Sequence, residues 1–118
     1  MNSSKIKQWG VFLADLNPPI GTKPGKVRPV VAIQPDQFNE YGHTSTVVLP
    51  ISSKVRTSKN SIMRVFLTAN DCGLEQDSVL LVDQIMALDN RKFIEQIGSL
   101  DSEKITEVTA ALKDFFGW

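Results

Sequence analysis

The sequence predicts a mainly β fold, a small barrel of five to seven short strands followed by one amphipathic helix at the C-terminus. Three observations predict it. Short runs rich in β-branched and aromatic residues recur between positions 9 and 98, separated by Pro, Gly, Asn and Asp. Six Pro and seven Gly in 118 residues require many turns. Beyond residue 101 the apolar residues recur with helical rather than strand spacing.

Residues 9–15 (WGVFLAD) read as the first strand, ended by Asn17-Pro18-Pro19. Residues 18–27 (PPIGTKPGKV) form a loop with a turn at Pro24-Gly25. Residues 28–34 (RPVVAIQ) make the second strand. Pro29 has no amide donor, so it belongs at a strand start or a sheet edge. Residues 36–42 fit a helical turn capped by Asp36 and ended by Gly42. Residues 46–51 (TVVLPI) are a third strand, apolar enough to be buried on both faces. Residues 52–61 are polar and basic and are expected to be flexible. Residues 62–68 alternate around Arg64 as strand four, and Asp71 to Gly73 turn the chain. Residues 78–82 are strand five, with 85–88 expected to continue it; 89–92 turn, and 93–98 alternate in period two. Asp101 is placed to cap the helix, Ile105, Val108, Leu112 and Phe115 form its apolar stripe, and Gly117 can end it. Meanders of short strands close into a small barrel, and the stripe must lie across that barrel or a partner subunit.

The length fits a single domain spanning residues 1–118. One cysteine, Cys72, excludes an internal disulfide and points to a reducing compartment. No window reaches the roughly 18 apolar residues of a membrane span, and the N-terminus lacks the apolar run of a signal peptide. A soluble, cytoplasmic protein without membrane contact is expected. The net charge is zero, but its distribution is uneven. Residues 23–64 hold seven basic groups and two acids, whereas residues 65–118 hold four basic groups and ten acids. Such a division can give one face that attracts polyanions.

The available chemistry is narrow. His43 and Cys72 are single and far apart, and no carboxylate cluster has ligand spacing, so neither a metal nor another cofactor is expected. His43 lies in a polar loop without a nucleophile motif and is expected to be a solvated loop histidine. No phosphate-binding glycine loop is present. What remains is a polar set at strand ends: Arg28 opening strand two, Ser52 and Ser53 closing strand three, and Asp83 and Gln84 after strand five. An arginine can hold a phosphate through two parallel hydrogen bonds, and a serine hydroxyl can donate to a phosphoryl oxygen. RNA supplies its own nucleophile, the 2′-OH, so such a set can act without a metal. These residues alone equally fit a surface charge, a turn serine and a strand-end cap.

Five segments in order resemble the MazF/PemK/Kid family of toxins. They are Gly10-Val11-Phe12-Leu13-Ala14-Asp15-Leu16-Asn17-Pro18, Gly21 followed by Lys26-Val27-Arg28-Pro29-Val30-Val31-Ala32-Ile33, and Val48-Leu49-Pro50-Ile51-Ser52-Ser53. Asp77-Ser78-Val79-Leu80-Leu81-Val82-Asp83-Gln84-Ile85 is the fourth, and Ile97-Gly98-Ser99-Leu100 with the final helix is the fifth. The resemblance runs over roughly residues 8–116. It implies an SH3-like barrel of the CcdB/MazF-type toxin fold, a homodimer, and a metal-independent, sequence-specific endoribonuclease acting on single-stranded RNA. Its products would carry 2′,3′-cyclic phosphate and 5′-OH ends. The resemblance implies Arg28, Ser52 and Asp83 as catalytic. Thr22, Lys23, Lys26, Ser53, Lys54, Arg56 and Gln84 are expected to contact RNA. It further implies a MazE/PemI-like antitoxin as partner.

The sequence departs from the family pattern in the loop before Arg28. Lys23 replaces an acid there, and no loop histidine is present. The usual acid after Gly10 is absent, and Leu81 stands where one relative has a catalytic arginine. The general acid and base are therefore unassigned. The alternative reading is a CcdB-like toxin that binds DNA gyrase through Phe115 to Trp118 and has no need of Arg28 or Ser52. A third reading is an inactive, dimeric relative.

Overall fold

The computed structural model describes residues 1–17, 26–55 and 63–118. Residues 18–25 of the loop expected at 18–27 and most of the basic segment 52–61 lie outside them, with Thr22, Lys23 and Arg56, while Val27 belongs to a strand rather than to that loop. Among the described residues there are seven strands: β1 (Gly10–Asp15), β2 (Val27–Ala32), β3 (Ser45–Ser52), β4 (Arg64–Leu67), β5 (Ser78–Leu81), β6 (Met86–Asp89) and β7 (Phe93–Ser99). Two α-helices accompany them, α1 (Asp36–Glu40) and α2 (Ser102–Phe116). The strands pair antiparallel in the order β4-β5-β3-β2-β1-β7, and β6 also pairs with β3. The result is an open, barrel-like sheet with a helix at its C-terminus.

Two apolar layers follow from strand alternation, one on each face of the sheet. Val11, Val31, Leu49, Ile51, Val65, Leu67 and Leu80 face the layer that α2 covers. Phe12, Ala14, Val30, Ala32, Val48 and Phe93 face the other, where Ile6 of the N-terminal segment joins them. Each helix-facing residue on β1 has its partner on β2, as in Val11↔Val31, so the register and the apolar pattern agree. β3 is buried along nearly its whole length, as its composition predicts.

The helix begins where expected. The Asp101 carboxylate accepts from the Lys104 amide at 2.9 Å, satisfying one of the first-turn donors. Gly117, at φ 74°, ends it, with the Trp118 and Gly117 amides bonding back to Lys113 and Asp114. The stripe differs at its end. Val108 and Ala111 are buried, Ile105 and Leu112 are partly so, and Phe115 is 41% exposed.

Three sequence expectations are corrected in detail. Asp36 does not cap α1; it is the helix's first residue, and its carboxylate accepts the Gln8 amide at 2.7 Å instead. Residues 85–88 do not continue strand five. A single 3₁₀ turn, Val82–Gln84, separates β5 from β6, which crosses to a different part of β3. The period of two in β7 is interrupted by register shifts against β1. Phe93 pairs with Ala14 while Glu95 pairs with Leu13, so residues two apart in sequence reach opposite faces.

Buried polar groups tie the N-terminal segment to the sheet. The Asn39 amide donates to the Ile6 carbonyl at 2.7 Å, and the Thr46 hydroxyl donates to Asn90 Oδ1 at 2.7 Å. Asn90 in turn donates to the His43 carbonyl at 2.6 Å. Among the described residues, no buried side-chain nitrogen or oxygen lacks a hydrogen-bond partner. That is what burial of uncharged polar groups requires.

Candidate functional site

The site begins where β2 and β3 part. The two strands pair at Val30↔Pro50, Val31↔Leu49 and Ala32↔Val48, and no further. Pro29 has no N–H to give, and at its level β2 pairs only with β1, at Leu13. Past Pro50, β3 turns to β5 at Ile51↔Leu80 and Ser52↔Val79. Strand alternation places Arg28, paired with Ala14, and Ser52, paired with Val79, on one face of the sheet. The two side chains therefore share the sheet face opposite α2, at the mouth of the opening.

Local bonds hold both. Before Arg28, the Lys26 amide donates to Asn17 Oδ1 at 2.7 Å and the Lys26 carbonyl accepts from Leu16 at 2.8 Å, pinning the start of β2 against the end of β1. Lys26 adopts φ 63°, a left-handed conformation uncommon for a residue with a side chain. Ser52 Oγ accepts the Lys54 amide at 3.1 Å. Accepting through a lone pair leaves the hydroxyl hydrogen to donate elsewhere.

On the other side of the opening is a cleft of about 420 Å³. Arg28 and its neighbours Val27 and Pro29 form one wall, Ile51 and Ser53 another, and Glu75, Gln76 and Glu95 the lip. Close backbone approach builds that lip. A Cβ on Gly73 would collide with the Ile97 carbonyl, and one on Gly98 with the Cys72 carbonyl. Only glycines let the Asp71–Gly73 turn lie against β7 in this way. Burial and the nearby Asp71 and Asp101 carboxylates push the Cys72 thiol above its ordinary pKa, so it is not an activated nucleophile.

The structure thus joins Arg28 to Ser53 through the cleft and sets Ser52, at the end of β3, beside the same opening. Lys26, Ser53 and Lys54 are exposed around them. Asp83 does not line the cleft; its carboxylate forms an ion pair with the Arg64 guanidinium. Gln84 closes the same 3₁₀ turn and is half-buried. His43 is an exposed loop residue whose Nδ1 lies 2.7 Å from the Ser45 carbonyl. Among the described residues no group of three or more His, Cys, Asp or Glu is placed to hold a metal ion. Sequence reasoning missed Glu75, Gln76 and Glu95. The acids were visible as charges, but only the β7 register shifts bring Glu95 to the cleft face.

Comparison with known proteins gives this geometry a context. The family described as the PemK-like, MazF-like toxin of type II toxin–antitoxin systems matches residues 7–116. The endoribonuclease EndoA of Bacillus subtilis is 35% identical over 108 residues, which is 92% of this chain and 91% of that protein. The crystal structure of MazF from Deinococcus radiodurans superposes with a TM-score of 0.78 at 23% identity, covering 95% of this chain and 96% of that one. The Mycobacterium tuberculosis toxin MazF-mt6 gives 0.75 at 23% identity, covering 92% and 96%. A MazE-MazF structure from D. radiodurans gives 0.73 at 21% identity, covering 94% of each chain. These structural likenesses fix the fold.

Proposed function

Because this chain belongs to the PemK-like, MazF-like toxin family of type II toxin–antitoxin systems, we propose that it is a metal-independent endoribonuclease cutting single-stranded RNA where β2 and β3 part. The observation that carries this reading is the cleft beside the parting of β2 and β3, which Arg28 and Ser53 line together next to Ser52 at the end of β3. The 35% identity to an endoribonuclease supports the activity, and the family match does not favour the CcdB-like alternative.

In the reaction the RNA 2′-oxygen bonds to the adjacent phosphorus and the bond from phosphorus to the 5′-oxygen breaks. The 2′-hydroxyl loses its proton and the departing 5′-oxygen gains one. The ends are a 2′,3′-cyclic phosphate and a 5′-OH. Arg28 stays charged throughout and neutralises the negative charge that builds on the phosphoryl oxygens. The Ser52 hydroxyl donates to the same group. Lys26, Ser53, Lys54 and Gln84 extend the contact along the strand, and Thr22, Lys23 and Arg56 are assigned the same role from sequence. Asp83 acts through Arg64, to which it is bound.

A homodimer and a MazE-like antitoxin complete the reading. Phe115, Phe116 and Trp118 are exposed at the helix end, a patch that a second subunit can cover. MazF of D. radiodurans has been seen with MazE, which supports an antitoxin partner. The work is assigned to the cytoplasm, where RNA is at hand.

The test is cleavage of a long single-stranded RNA in excess chelator, with product ends mapped. The wild-type protein should cut at a recurring short sequence and leave cyclic-phosphate ends. Arg28→Ala should lower the rate about 10²- to 10³-fold, the loss typical of one charge-stabilising donor, with the fold unchanged. A requirement for magnesium would overturn the mechanism.

A further inference from the structure

The sheet face that carries Arg28 and Ser52 continues across β5 to β4. Ser52 pairs with Val79, and Val79 pairs with Phe66. Paired residues point to the same face, so Ser52, Val79 and Phe66 form one rung. The next rung holds Leu81 and Arg64. Val79 and Leu81 are buried, whereas Phe66 is 42% exposed on the last strand of the sheet path. Exposure alone does not set Phe66 apart, since Phe38 and Tyr41 are exposed too; its place on the face of Ser52 and Arg64 does.

Its surroundings are cationic. Arg64 stands two residues before Phe66 on the same face, with its guanidinium positioned by Asp83. At the other end of the rung the exposed Lys54 follows Ser52 by two residues, its amide bonded to the Ser52 hydroxyl oxygen. Two strand spacings separate Ser52 from Phe66, about 10 Å. That reach spans one to two nucleotides of an extended strand from a phosphate held at Ser52. Aromatic faces bordered by cationic groups bind single-stranded nucleic acid through stacking of the base and attraction of the backbone.

We propose that Phe66 is a stacking platform for an unpaired base next to the scissile phosphate, making β4 a specificity-determining strand of the ribonuclease. This rests on the ribonuclease reading above. Phe66 positions substrate and takes no part in proton or phosphoryl transfer.

The experiment compares the wild-type protein with Phe66→Ala, Phe66→Leu and Phe66→Trp in steady-state cleavage of an RNA containing the mapped site. Substrate sets varying each base around the cut accompany it. Loss of one stacked base by truncation to alanine is worth about 1–3 kcal/mol, so KM should rise about 5- to 150-fold with kcat little changed. Leu, which keeps apolar bulk without a π face, should behave like Ala, and Trp should restore binding. The preference at one base position should weaken in Ala and Leu alone. Unchanged KM and unchanged preference in Phe66→Ala would overturn the platform, as would a variant whose only defect is loss of the dimer in sedimentation. If the wild-type protein itself cuts no RNA, the ribonuclease reading fails first. Cleavage by the wild-type protein with an indifferent Phe66 sinks only the present inference.

Discussion

The two strands that end the sheet path, β4 and β7, face the same physical problem and solve it differently. An edge strand offers unpaired backbone groups to any other strand and must be protected from such pairing. β4 is only four residues long and carries a charged side chain, Arg64, two positions from the exposed Phe66. β7 is longer, with seven residues, and is distorted by two register shifts against β1. Its exposed charge is Glu95, at the acidic lip with Glu75. One edge is suited to a polyanion and the other repels it. The two edges thus carry opposite charges, although Arg28 shares its cleft with Glu75 and Glu95.

The β7 edge can be broken through its glycine. Gly98→Ala places a methyl against the Cys72 carbonyl, where backbone rather than a flexible side chain must yield. We expect a loss of about 1–3 kcal/mol, the usual range for an overpacked site, read as a fall in the urea midpoint. RNA affinity of the folded fraction should hardly change, because the damage is on the acidic side. A large loss of affinity at unchanged stability would mean that the lip, and not β4, borders the substrate.

Charge substitutions sharpen the contrast with a smaller effect. Arg64→Gln should weaken binding of a strand blocked by a 2′-deoxy sugar at the cut. The slope of log affinity against log salt should become shallower by about 0.7, the value for one phosphate contact to a single strand. Glu95→Gln should leave that slope unaltered, since a carboxylate releases no counterion from RNA. Equal changes in both variants would dissolve the distinction between the edges.

The difference between the two edges was only partly legible in the sequence. The strands were readable because apolar alternation and Pro or Gly boundaries coincide, as at residues 9–15 and 46–51. The helix was readable because Asp101, the stripe and Gly117 agree. Arg28 and Ser52 were readable as strand-end donors, and the opening between β2 and β3 is foreshadowed by Pro29. The break between β5 and β6 was not readable, since Val82-Asp83-Gln84 contains neither Gly nor Pro. The position of Glu95 depends on register shifts that its own sequence does not announce. Phe66 looked like one more apolar residue of a strand. Its exposure follows from its place on the last strand, a property of the assembled sheet.

The smallest effect lies in the turn that leads into β7. Asp89 accepts the Arg91 amide at 2.8 Å and meets its guanidinium at 3.1 and 3.0 Å. These bonds hold the Asp89 carboxyl down at about 2, below its ordinary 3.8. A depressed folded-state value stabilises the protein above the unfolded value, and that contribution disappears as pH falls from about 4 through 2. Because the pair is exposed, solvent screening keeps the gain slight. In Arg91→Ala the Asp89 carboxyl should titrate close to its ordinary value when followed by NMR. The small difference in Tm from the wild-type protein at neutral pH should vanish at the acid end of that window. A carboxyl that still titrates near 2 without Arg91 would show that the turn's remaining amides, and not the cation, set the charge at the entry to β7.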